Sequence, residues 1–190
     1  KASVSGLNLG GGKAIIIGDP KVDKSEEFFR AFGRFINSLG GRYITAEDVG
    51  TTVKDMEYVF METPYVTGIP KAFGGSGDPS PYTAHGVLTG IKASVKRKLG
   101  ADSLEGVRVT VQGLGNVGSH LVKYLTDHKA IVSIADIDAT KTKMLAEKHG
   151  ATAVSPDDIV TMETDVFAPC AMGAVINDQT ISALKCQVIA

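Results

Sequence analysis

One stretch, VRVTVQGLGNVGSHLVKYL (107–125), constrains the chain more than any other. A β-branched run feeds directly into Gly113, Gly115 and Gly118, and these glycines open a segment with helical apolar spacing. A second strand pattern, AIVSIAD, ends at Asp136, in the window about 20 residues after the glycines where a dinucleotide fold sets an acid against a ribose hydroxyl. Each glycine has a mechanical reason. Gly113 makes the tight turn, Gly115 lets backbone approach a pyrophosphate, and Gly118 permits close packing of helix on strand. The sequence therefore predicts an α/β fold with a doubly wound, Rossmann-type parallel sheet. Gly113, Leu114, Gly115, Asn116, Val117 and Gly118 form its cofactor cradle, with helix amides facing the phosphate charge. Asp136 favours NAD over NADP, because a carboxylate there repels the additional phosphate.

The surrounding pattern agrees. Ser80 and Pro81 read as the start of a helix on which Ala84, Val87, Leu88, Ile91, Val95 and Leu99 keep helical spacing until Gly100. After Asp136 come a helix ending at His149 and Gly150, a short strand ATAV, a helix begun by Ser155 and Pro156, and the strands TDVFAPC and CQVIA. A Rossmann sheet is expected to continue, so the sequence reads as a fragment lacking both ends. Three of the seven prolines fall in TGIPKAFGGSGDPSPYT (67–83), which marks a connection between domains. The expected boundaries are residues 1–67, part of a substrate and catalytic domain, and 68–190, an NAD-binding domain.

The first half poses a different question, because GLNLGGGKAIIIGDP (6–20) puts three glycines in front of Lys13. This is not a P-loop. Leu7 stands where the first glycine of that motif belongs, Ala14 replaces the magnesium-binding hydroxyl, and Lys13 precedes a strand pattern, AIII, instead of a helix. The residues leave two readings of Lys13: an amine beside backbone bare enough for a ligand to approach, or a solvated lysine in a turn. Next comes a helix with Phe29, Phe32, Ile36 and Leu39 on one stripe, a capping box of Asp23 with Glu26, and Gly40 and Gly41 as its stop. RYITA (42–46) reads as a strand. A further helix begins near Thr52 with Asp55 three residues on, placing Val53, Met56, Val59 and Phe60 on its core face. Glu47 and Asp48 follow the strand, where α/β proteins gather ligands, although either residue equally suits a turn that caps the next helix.

Composition excludes other classes. A chain of 190 residues with 43% hydrophobic and 22% charged residues is globular, and a formal net charge of −1 gives no electrostatic footprint for nucleic acid or an anionic membrane. Its apolar runs are too short to span a bilayer. Cys170 and Cys186 are too few for a disulfide scaffold and not spaced as metal ligands, which predicts a reducing, cytoplasmic setting and no bound metal.

With KASVSGLNLGGGKAIIIGDP, GRYITAEDVGTT, YVTGI, GSGDPSPYTAHGV, VQGLGNVG, IADID and APCAMGAVIND in view, the chain resembles the glutamate, leucine, phenylalanine and valine dehydrogenase family along its whole length, its leucine members most of all. The resemblance implies NAD-dependent oxidative deamination of an amino acid to the 2-oxo acid and ammonia. It assigns Lys13 as the base on water, Asp48 as the proton exchanger for the substrate amine, Lys1 as the holder of the substrate carboxylate, and Gly10 and Gly11 as neighbours of the substrate. A neutral lysine is needed for such a base, a state that desolvation and a nearby cation favour. Thr83 is implied to contact the nicotinamide amide, Ala46 to form a small apolar pocket wall, and residues 171–174 to lie near the cofactor. Ala14 and Ile15 depart from the glycine-rich continuation of glutamate members, which favours a branched aliphatic substrate, leucine first, with valine or phenylalanine as alternatives. A homo-oligomer and a cleft hinged near residues 67–77 are implied as well. The rival reading is a regulator that binds NAD without catalysis. It needs the glycines and Asp136 but not Lys1, Lys13 and Asp48 together.

Overall fold

The computed structural model describes residues 2–190, which cluster into two compact units, Lys1–Pro79 and Ser80–Ala190. The second unit is a five-stranded, wholly parallel sheet. It contains α3 (Ser80–Leu99), β1 (Arg108–Gln112), α4 (Asn116–Asp127), β2 (Ile131–Ala135), α5 (Ala139–His149), β3 (Thr152–Ala153), α6 (Asp158–Thr161), β4 (Val166–Pro169) and β5 (Val188–Ile189). Strand order is β3-β2-β1-β4-β5, so the chain works outward from β1 on one side, then crosses to begin again at β4. Val109 lies opposite Val132 on one side and Val166 on the other. Such strands are apolar on both faces because helices cover both. Leu88, Ile91 and Val95 of α3 and Leu121, Val122 and Leu125 of α4 join Val109, Val111, Ile134 and Val166 in one buried core. Gly100 and Gly150 take φ of +73° and +68° after α3 and α5, as their positions at helix stops required.

The first unit has α1 (Glu26–Ser38) and α2 (Val53–Phe60), packed through Phe29, Met56 and Val59, with Val66 and Ile69 completing the cluster. Gly33 is the point of closest approach, since a Cβ there would stand 2.8 Å from the Val59 carbonyl oxygen. The expected capping box of α2 is present, with Thr52 accepting from the Asp55 amide while the Asp55 carboxylate accepts from the Thr52 amide. Asp55 is buried and also pairs with Lys24.

Four expectations are corrected here. Residues 14–17 form no strand: Ile15 and Ile17 are 82% and 99% exposed. A β-branched run becomes a strand only where a neighbouring edge bonds its amides, and none does so among the described residues. RYITA contributes only a parallel bridge between Thr45 and Val66. The cap of α1 is Ser25, which accepts from the Phe28 amide. Asp23 instead accepts from the Asp19 amide and so closes the preceding turn. Finally, Phe60 lies at the exposed end of α2, stacked on Phe73 at 6.1 Å rather than in the core.

Candidate active site

In the first unit the structure brings Lys13 and Asp48 together, Nζ against Oδ2, both side chains largely exposed. An exposed ion pair adds little to stability, so its interest is chemical. Asp48 is held from three sides. Its amide donates to Thr51 Oγ1 at 2.8 Å, its carbonyl accepts from the Thr51 amide at 2.9 Å, and its Oδ1 accepts from the Val49 amide at 2.8 Å. Gly50 completes this turn with φ of +81°. One carboxylate oxygen is therefore committed to the loop, leaving Oδ2 for the amine. The three glycines before Lys13 divide in role. A Cβ on Gly12 would meet the Tyr43 ring at 2.8 Å, whereas Gly10 and Gly11 have nothing within 4 Å. Gly12 seats the segment, and its neighbours leave open space beside Lys13. Ala46 is exposed. Lys1 lies outside the described residues.

Glu47, beside Asp48 in the chain, has the opposite environment. Its Oε2 is buried with no hydrogen-bond partner among the described residues. Burial first, then the Asp78 and Asp55 charges, push its carboxyl up to about 7.

In the second unit the glycine turn lies at the carboxyl end of β1, where the sheet order reverses between β1 and β4. Open α/β sheets bind ligands at this switch point. Gly113 takes φ of +93°, and a Cβ on it would stand 2.4 Å from the Ala171 amide of the loop after β4. On Gly118 a Cβ would stand 2.0 Å from the Gly113 carbonyl oxygen, whereas on Gly115 it would meet nothing within 4 Å. Among the described residues no side chain caps the N-terminus of α4 at Gly115, so the first amides of the helix face the open ground above that glycine. Asp136, half-buried, accepts from the Leu114 amide at 2.6 Å through Oδ2 and from the Asp138 amide through Oδ1. The acid and the glycine turn are thus one bonded assembly. These residues fit a dinucleotide: bare backbone with room above it, unpaired helix amides and a carboxylate beside them.

Leu114 is fully buried, so its amide serves the cradle while its side chain serves the core. Val117 packs partly against that core, and Thr83 is exposed in the first turn of α3. The sequence reading missed Ser119, whose hydroxyl donates to the Leu114 carbonyl at 2.7 Å and fastens the turn to the helix. It also missed the αL backbone of Ala174, φ +67°, in the segment after β4. Cys170 contacts the turn, and burial pushes its thiol up to about 11, which suits packing and not nucleophilic chemistry. Among the described residues no cluster of His, Cys, Asp or Glu could hold a metal, and no helix is long and apolar enough to cross a membrane.

A Rossmann-type dinucleotide fold, preceded by a unit carrying a paired lysine and aspartate, defines the class. Comparison with known proteins gives the family. Residues 1–65 match the model of the Glu/Leu/Phe/Val dehydrogenase dimerisation domain, and residues 74–140 match the Glutamate/Leucine/Phenylalanine/Valine dehydrogenase model. The chain belongs to this dehydrogenase family. It is 57% identical over 190 residues to leucine dehydrogenase of Geobacillus stearothermophilus and 56% identical to that of Bacillus subtilis, covering all of this chain and 52% of each relative. The crystal structure of L-tryptophan dehydrogenase from Nostoc punctiforme matches with a TM-score of 0.73 at 40% identity, over all of this chain and 53% of the other. The chain thus spans about half the length of the curated relatives it matches. Membership in a dehydrogenase family implies a nicotinamide cofactor.

Proposed function

We propose that this chain is the catalytic and cofactor-binding part of an NAD-dependent dehydrogenase that deaminates a branched aliphatic L-amino acid, L-leucine foremost, to the 2-oxo acid and ammonia. The observation that carries the reading is the pairing of Lys13 with an Asp48 whose other oxygen is already fixed by the Val49 amide. That arrangement supports a division of labour. Asp48 takes a proton from the substrate ammonium, which frees the nitrogen lone pair. When bound, NAD supplies the acceptor for the hydride leaving the substrate Cα. Lys13 takes a proton from the water that adds to the resulting iminium carbon and, after releasing it to solvent, takes the hydroxyl proton of the carbinolamine as the C–N bond breaks, while Asp48 returns its proton to the nitrogen that leaves as ammonia. Lys1 holds the substrate carboxylate, Gly10 and Gly11 leave it room, and the small side chain of Ala46 admits a branched aliphatic group. Gly113, Leu114, Gly115, Asn116, Val117 and Gly118 hold the pyrophosphate, Asp136 the adenosine ribose, and Thr83 the nicotinamide amide.

Support for leucine comes from the 57% and 56% identity to leucine dehydrogenases, and support for a homo-oligomer from the dimerisation-domain model over residues 1–65. Two free cysteines fit a reducing cytoplasm. The test is the initial rate of NAD reduction by the full-length protein with L-leucine, L-valine, L-phenylalanine and L-glutamate in parallel, repeated with NADP. The expected result is a rate led by leucine and confined to NAD. NAD binding without reduction by any of the four would favour the regulator instead.

A further inference from the structure

We propose that Thr51 is a positioning residue for the reaction, its hydroxyl fixing where Asp48 presents its carboxylate to Lys13. The inference rests on the reading of Asp48 as a catalytic group. Residues 48–51 form a four-residue turn, closed by the Thr51 amide on the Asp48 carbonyl at 2.9 Å, with Gly50 at its third position in a φ of +81° that suits glycine. The Thr51 hydroxyl adds two bonds to that frame. Its Oγ1 accepts from the Asp48 amide at 2.8 Å and donates to the Asp48 carbonyl at 2.8 Å. A hydroxyl carries one proton and two lone pairs, so it serves both groups at once. The backbone donor and the backbone acceptor of Asp48 are therefore both held by a single side chain.

The chain on either side of the turn is anchored. Before it, the Thr45 amide donates to the Tyr65 carbonyl at 3.0 Å and the Thr45 carbonyl accepts from the Thr67 amide at 2.8 Å. After it, Thr52 caps α2 in a box with buried Asp55. Asp48 lies between these anchors on an exposed stretch, where water replaces a lost bond. Loss of the Thr51 hydroxyl therefore costs little stability but frees the Asp48 backbone to move. The carboxylate moves with it, because Oδ1 is tied to the Val49 amide of the same turn and Oδ2 is the oxygen that meets Lys13. Threonine suits this task better than serine, since branching at Cβ restricts χ1 and keeps the hydroxyl aimed at the turn.

The experiment uses the full-length protein with Thr51→Val, which keeps the shape and removes the hydroxyl, and Thr51→Ser, which keeps the hydroxyl. In steady-state oxidation of L-leucine by NAD, Thr51→Val is expected to lower kcat about 10- to 100-fold, the scale of a misplaced reacting group, with KM hardly changed. Thr51→Ser restores most of the loss. Thermal unfolding establishes that both variants are folded. Deuterium uptake by the peptide spanning residues 44–52, a readout that needs no substrate, is faster in Thr51→Val and unchanged in Thr51→Ser. In a double-mutant cycle, Thr51→Val costs nothing further in the Asp48→Asn background, because it acts through that carboxylate. An unchanged kcat in Thr51→Val, or a Thr51→Ser variant as slow as Thr51→Val, overturns the positioning role. So does an equal loss from Thr51→Val in both backgrounds, the mark of a structural effect that bypasses Asp48. Full activity of Asp48→Asn, or no oxidation of any amino acid by the unsubstituted protein, overturns the functional reading and the positioning role with it, and the difference in uptake then describes the turn alone.

Discussion

The two units encode their structure differently. In Ser80–Ala190 each strand finds its neighbour within the unit, one core runs through four of the five strands and the covering helices, and the glycine turn sits between a strand and a helix. In Lys1–Pro79 the core is a small cluster between two helices, while Lys13 and Asp48 lie on extended backbone and a turn, with the apolar run at residues 15–17 exposed. The cradle is therefore built from backbone geometry and the Lys13–Asp48 pair from side-chain placement. The first is damaged by adding an atom, the second by removing one.

The largest expected effect tests the side-chain half. In the proposed roles, Lys13→Ala and Asp48→Asn would each remove a proton-transfer group, and losses in kcat of about 10²–10⁴-fold are expected from positioned general acid–base catalysis. Stability should hardly move, because the pair is exposed. Steady-state kinetics alongside thermal unfolding decides the matter. A stability loss matching the loss of activity would make the pair a structural brace and remove the contrast between the units.

That contrast also explains what could be read from residues alone. Gly113, Gly118, Thr52 with Asp55, and the helix stops at Gly100 and Gly150 were legible because their roles are local: a positive φ, a close approach within a few residues, a cap bonded three positions away. Residues 14–17 were misread because a strand is a property of two segments, and the pattern of one says nothing about whether the other is there. Asp23 was misread because two oxygen-bearing side chains, Asp23 and Ser25, competed for one helix start, and the Asp19 amide captured the first. The close approach at Gly12 gave no signal, since its constraint comes from Tyr43, some thirty residues away.

A pair of glycine substitutions sharpens the comparison within the backbone-built site. Gly118→Ala puts a Cβ 2.0 Å from the Gly113 carbonyl oxygen, and since backbone must move to relieve it, a destabilisation of about 1–3 kcal/mol is expected, as for other overpacked sites. Gly115→Ala adds a methyl group to open space at φ −61°, a conformation any residue adopts, so stability should stay within about 0.5 kcal/mol. The methyl group nevertheless occupies the approach to the α4 amides, and NAD affinity should fall about tenfold or more, roughly 1.4 kcal/mol. Calorimetric unfolding and NAD titration of the two variants should dissociate, one losing mainly stability and the other mainly binding. If Gly115→Ala binds NAD normally, the pyrophosphate does not lie over that glycine.

The smallest effect bears on the first unit, whose few buried side chains make its helix ends matter more. Thr52→Ala deletes the hydroxyl that accepts from the Asp55 amide and leaves Asp55 with one partner fewer on the same oxygen. Loss of such a cap usually costs about 1 kcal/mol. Asp55 is buried and paired with Lys24, so its carboxylate keeps a partner when the hydroxyl is gone, and the loss should not exceed that figure. Thermal unfolding of Thr52→Ala decides the matter: a loss near that figure identifies the hydroxyl as a cap, whereas an unchanged stability would show that Lys24 and the backbone hold the start of α2 without it.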